Sequence, residues 1–168
     1  MGPQTNLRKL CSGRGNRPST GDVFAFTPFE DEFLVGRVLI AHAPQGQAPM
    51  PGANLIFLYK RQFSIRPTNL DAFALADLLV PPIWTNDQAW TRGYFQTLQI
   101  AGDRWAKHAP KACFYRAPLR PDADGWHVDQ YGNRVERRWE PCGDWGLVSY
   151  RWIDDRVSDA LGITRTPA

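Results

Sequence analysis

The sequence predicts a β-rich α+β fold: a strongly bent antiparallel sheet or partial SH3-like barrel carrying two short helices. Three observations predict it. Short runs of alternating, β-favouring residues recur between Gly- and Pro-rich turns. Glycines fall inside two of those runs, at Gly36 and Gly93, where a small barrel would bend or another backbone approach closely. A helical period appears only in one dense apolar stretch and near the C-terminus.

Taken in order, residues 1–18 read as a flexible leader, because Gly, Pro, Ser, Asn and Arg dominate and only Leu7 and Leu10 offer apolar surface. Residues 19–168 read as one domain. Asp22-Val-Phe-Ala-Phe-Thr27 and Phe33-Leu-Val-Gly-Arg-Val-Leu-Ile40 form a hairpin across the acidic turn Glu30-Asp31-Glu32. His42 to Gly52 holds three Pro and two Gly and reads as an exposed loop. Asn54-Leu-Ile-Phe-Leu-Tyr59 is apolar on both faces and so a central strand. Thr68-Asn69 caps a buried helix over Leu70–Leu79, stopped by Pro81-Pro82. Trp90 to Leu98 reads as a strand interrupted at Gly93, and Ala112 to Arg116 as another. Gly132-Asn133 joins Trp126–Tyr131 to Arg134-Val135 as a tight hairpin. Ile153, Val157, Ala160 and Leu161 fall on one helical face, with Gly162 placed to end the helix.

At 168 residues the chain can bury a core without disulfides or metal, and seven Trp with nine Phe exclude the disordered class. The formal charge is +3, with basic and acidic residues interleaved, so a nucleic-acid partner is not favoured. Cys11, Cys113 and Cys142 are odd in number and lack C-x-x-C spacing, which points to a reducing, cytoplasmic compartment. No apolar run reaches the ~20 residues a membrane helix needs, so no membrane partner is expected.

Catalytic signatures are sparse. No G-x-S-x-G elbow occurs, and His42, His108 and His127 stand in unrelated contexts with no metal-binding spacing. Asp122-Ala-Asp124-Gly125-Trp126-His127-Val128-Asp129 is the densest group of possible ligands, yet Pro121 and Gly125 also suit a polar turn. Arg37 could hold a phosphate, though a surface arginine on a strand is commoner. Arginines interleaved with aromatics, as in Arg134 to Trp139, could stack single-stranded nucleic acid or simply cover a sheet edge.

Several runs resemble the immunity protein 26 family, found beside polymorphic toxins in bacteria. They are Gly21-Asp-Val-Phe-Ala25, Phe33 to Val38, Leu78 to Ile83, Trp90-Thr-Arg-Gly-Tyr-Phe95, Tyr131-Gly132, Pro141 to Tyr150, Ile153-Asp-Asp155 and Asp159 to Ile163. Gly21, Asp22, Gly36, Arg37, Trp90, Gly93 and Tyr94 are the motif positions expected to serve structure. The resemblance implies a single immunity-type domain that binds a cognate toxin. It equally implies a second function, because the label is shared with a small bacterial phosphotriesterase. The residues favour binding, which needs only about 800 Å² of complementary surface with a few anchors. Glu30, Asp31, Glu32, Asp122, Asp124 and Asp129 are the candidate toxin contacts, on the argument that a nuclease toxin would present a basic cleft. No cofactor or metal is expected. A divalent metal would enter only with the hydrolase, whose catalytic group would be His127, Asp124 and Asp129. A third reading is an endoribonuclease with Arg37 on the phosphate.

Overall fold

The computed structural model describes residues 5–65, 77–100 and 109–167. Among them, ten strands form two sheets, accompanied by two helices. Strands β1 (Val23–Phe26) and β2 (Leu34–Ile40) make the expected hairpin, with Val23 opposite Arg37 and Phe26 opposite Leu34. β2 also pairs with β3 (Asn54–Leu58), and β3 with β4 (Ile83–Thr85), all antiparallel. Helix α1 (Gln88–Thr91) leads to β5 (Gln96–Gln99), which lies beyond β1. The second sheet comprises β6 (Cys113–Arg116), β7 (Trp126–Asp129), β8 (Arg134–Val135) and β9 (Cys142–Asp144), in the order β8-β7-β6-β9. β10 (Leu147–Val148) returns to the first sheet, parallel to β4, and α2 (Tyr150–Leu161) follows.

The β-rich α+β class therefore stands, while the strand arrangement differs from the expected bent antiparallel sheet or partial SH3-like barrel. Both sheets are mixed, through the parallel pairs β4–β10 and β6–β9, and neither closes into a barrel. Two- and three-residue strands such as Leu147–Val148 and Cys142–Asp144 carry too few residues for a period of two to show.

Alternation along the central strands sorts side chains into two cores. Phe24, Phe26, Leu34, Val38, Ile56 and Leu58 face Trp90, Phe95, Tyr150, Ile153 and Val157. Val35, Leu39, Leu55, Phe57 and Trp84 face Phe114 and Val128 of the second sheet. The first sheet is thus covered on both sides, by α2 and the α1 region on one and by the second sheet on the other. That is why β3 reads as continuously apolar. Gly36 lies opposite Phe24, and the Phe24 ring fills the space a Cβ would occupy. The ring then stacks on Phe95, with centroids 4.5 Å apart, and meets Trp90 edge-on at 5.1 Å.

Three expectations are corrected. Trp90 to Leu98 is not one strand. Trp90 and Thr91 donate backbone hydrogen bonds to the Asp87 carbonyl, Gly93 turns the chain at φ +84°, and only then does β5 begin. Aromatic and β-branched residues gave the run a strand composition, but the polar Asn86-Asp87 start and the Gly93 stop belong to a helical turn. The helix expected over Leu70–Leu79 falls largely outside the described residues. Its last two positions pair with the chain around the end of β3: Leu78 bridges to Tyr59, and the Leu79 N–H donates to Leu58.

The third correction concerns the expected flexible leader, whose described residues include Leu7 of the first core and several groups hydrogen-bonded to the rest of the fold. Leu7 is buried, and its N–H and that of Asn6 donate to the two carboxylate oxygens of Asp154 on α2, at 2.6 and 3.1 Å. Arg8 N–H donates to Thr27, Leu10 N–H to Gly93, and the Asn16 amide to the Phe95 carbonyl at 2.6 Å. A polar composition suggested no core contact, but this segment is held by backbone hydrogen bonds, which composition does not register. Around it, the α2 helix begins three residues before Ile153, with the Ser149 hydroxyl accepting from Trp152 N–H and Gly162 in the left-handed conformation at its end.

Candidate binding surface

The outer face of the second sheet displays Tyr115, His127 and Val135 side by side on β6, β7 and β8. The Tyr115 and His127 rings sit 5.6 Å apart. Beside them, an open recess of about 570 Å³ is lined by Gly125, Trp126, His127, Arg134, Val135 and Glu136. The guanidinium groups of Arg116 and Arg134 lie 5.3 and 5.8 Å from the Trp126 ring centroid, so two cations flank one half-buried indole. Aromatic and arginine side chains in this setting are the types that anchor protein interfaces.

The acidic candidates divide by what their carboxylates already do. Asp129 folds its own hairpin: one oxygen accepts from the backbone N–H groups of Tyr131 and Asn133, both at 2.9 Å, and the other from the Asn133 amide at 3.0 Å. Offering that carboxylate to a partner would release the turn. Asp122 and Asp124 are exposed on the β6–β7 connection, Asp122 within 3.9 Å of Arg120. In the β1–β2 turn, Glu30 pairs with Arg8 at 3.2 Å, Asp31 is exposed and Glu32 half-buried. Exposed ion pairs like these contribute about 0–1 kcal/mol, so they can be exchanged for a partner's cation.

His127, Asp124 and Asp129 do not assemble around one point. His127 and Asp129 share a strand face, but Asp129 is committed to the turn and Asp124 precedes the strand. Among the described residues, no group of three His, Cys, Asp or Glu side chains could hold a metal ion. Arg37 also departs from expectation. It is not a surface arginine but a buried one, only 7 % exposed, on the β2 face that meets the second sheet. Its charge acts on Tyr59, whose hydroxyl is pushed up to about 12 by burial, partly offset by Arg37 and reinforced by Asp77. Of the remaining motif positions, Gly21 and Asp22 open β1, and Trp90 and Tyr94 lie in the first core.

Sequence reasoning missed one polar cluster. His42 Nε2 lies 3.2 and 3.3 Å from the oxygens of Asp87, and the Asn54 amide donates to Asp87 at 2.8 Å. The Asn54 side-chain oxygen in turn accepts from His42 N–H at 2.9 Å. This ties the β2–β3 loop to the start of α1. No local pattern could reveal it, since the three residues meet only through the β3–β4 pairing.

A family model described as Immunity protein 26 matches residues 19–117, more than half of the chain. The chain belongs to the Immunity protein 26 family. No curated protein and no solved structure matches it. The Immunity protein 26 segment runs from just before β1 to just after β6, so it holds the first sheet apart from β10. Glu30, Asp31 and Glu32 lie within it, whereas Asp122, Asp124, Asp129 and the runs from Tyr131 onward lie beyond. Among the described residues, no helix is long and apolar enough to cross a membrane.

Proposed function

We propose that this chain binds a cognate bacterial toxin in the cytoplasm and neutralises it by covering the toxin's active or substrate-binding site. The family match carries the reading. The surface chemistry is in keeping with it: exchangeable acids at Glu30, Asp31, Asp122 and Asp124, and a Trp126 anchor flanked by arginines. Glu32 contributes from the edge of the first group, and Asp129 shapes the second without being a contact. No cofactor takes part, so the complex forms equally well with a chelator present.

The test is co-expression, in a bacterial host, of the chain with the toxin domain encoded beside its gene. Growth is restored and the two proteins co-elute. Reversing Glu30 and Asp31, or Asp122 and Asp124, to Lys weakens the complex by tenfold or more, since like charges brought together across an interface cost roughly several kcal/mol. Unrestored growth together with separate elution would refute neutralisation. Full protection by both reversed variants would remove the acidic loops from the interface.

A further inference from the structure

The parallel pairing of β6 and β9 sets Cys113 directly opposite Cys142, with Sγ atoms 3.4 Å apart. Both are thiols, Cys113 buried and Cys142 partly exposed. In-register neighbours on adjacent strands project to the same face with Cα atoms about 5 Å apart, within the span a disulfide bridges. The pair also stands at a joint in the chain. β9 leaves the second sheet through Trp145, whose N–H donates to the Tyr115 carbonyl at 2.8 Å, and two residues later the chain enters the first sheet as β10.

We infer that Cys113 and Cys142 form a reversible disulfide site, oxidised by low-molecular-weight disulfides, that staples the chain at the crossing between the two sheets. The exposed partner reacts first. The Cys142 sulfur, losing its proton, attacks oxidised glutathione, forming a mixed disulfide and releasing one glutathione thiol. The Cys113 sulfur, losing its proton in turn, attacks the Cys142 sulfur, forming the internal bond and releasing the second glutathione. The protein gives up two electrons, and one glutathione disulfide becomes two thiols. Burial and the neighbouring Cys113 thiol push Cys142 up to about 12, so the first attack is slow and the pair stays reduced through brief exposure. Cys11 has no part in this; its sulfur lies near the carbonyls of Gly93 and Phe95.

The experiment equilibrates the folded, full-length Cys11→Ser variant with oxidised glutathione, then alkylates the remaining thiols and maps the peptides. The expected result is no alkylation at either remaining cysteine, a cross-linked peptide pair holding Cys113 and Cys142, and recovery of both thiols with dithiothreitol. Closing a loop across 29 residues of sequence also raises the thermal midpoint by roughly 5–10 °C. Adding Cys142→Ser abolishes both effects while leaving Cys113 unmodified. Persistence of two alkylatable thiols, cross-links only between molecules, or an unchanged or lowered midpoint would each overturn the inference.

Discussion

Asp154 is a buried carboxylate whose two oxygens are both taken by backbone N–H groups of a segment some 147 residues earlier in the chain. Hydrogen bonds to a charged acceptor are worth more than neutral ones, and the donors left behind would be buried without partners. Asp154→Ala is therefore expected to cost about 2–3 kcal/mol in urea unfolding. Asp154→Asn, which retains one acceptor but turns an amide toward a donor, falls between the two. A cost below about 0.5 kcal/mol would show that the segment is held mainly by its other contacts. Residue identity alone could not announce this role, because Ile153-Asp-Asp155 looks like the polar side of an ordinary surface helix. Only the fold distinguishes Asp154, buried, from Asp155, half-exposed.

At the next scale, the N-terminal segment and the α1 turn behave as one element. Gly93, at φ +84°, accepts from both Leu10 and Cys11 N–H, and a Cβ there would overlap the Cys11 carbonyl. Gly93→Ala is expected to cost about 2 kcal/mol or more, from left-handed strain and the clash together. The loss should concentrate locally: trypsin would cut after Arg8, Lys9 or Arg14 much faster than in the parent, while the remainder stays protected. Equal cutting rates in the two proteins would refute the coupling. This is also where the sequence was least readable. Strands of four or more residues with both faces buried, β1 to β3, declare themselves through apolar runs, and the Gly132-Asn133 hairpin and α2 through their turn and cap residues. The helical turn at Gln88–Thr91 carries strand-like residues, and β4, β9 and β10 are too short for a period; tertiary pairing decides all four. The candidate site was legible to a similar depth. The acidic loops were visible as acids, but not that Asp129 is spent on its own turn. The meetings of His42 with Asp87 and of Cys113 with Cys142 join segments 45 and 29 residues apart.

For the whole molecule, covering the first sheet on both sides places an ionisable layer inside it, and that layer sets the response to pH. Tyr59 is 2 % exposed, and burial raises its hydroxyl from 10.0 to about 12, with Arg37 offsetting and Asp77 adding to the shift. A group whose folded-state pKa exceeds its unfolded value contributes stability that is intact below the unfolded value and lost as pH climbs through the folded one. Tyr59 should thus leave stability nearly untouched below about pH 10 and remove roughly 2 kcal/mol by about pH 12, the full two units at about 1.36 kcal/mol each being lost only above that. Cys142, also raised to about 12 from 9.0, acts in the same direction and starts the decline near pH 9. Asp159 works at the opposite end: its hydrogen bond to Arg165 lowers it, so its contribution is present above the ordinary carboxylate range and lost in acid. The alkaline limb can be assigned by comparing urea unfolding of the parent and Tyr59→Phe from pH 8 to 12. Phenylalanine sacrifices the hydroxyl's interaction at every pH, which displaces its curve by a constant, but it cannot ionise. Between pH 10 and 12 the parent should lose about 2 kcal/mol more than the variant, so the two curves converge or cross. Curves that remain parallel over that interval would mean that Tyr59 ionises as readily in the folded protein as in the unfolded chain, and that the layer between the sheets is open to water.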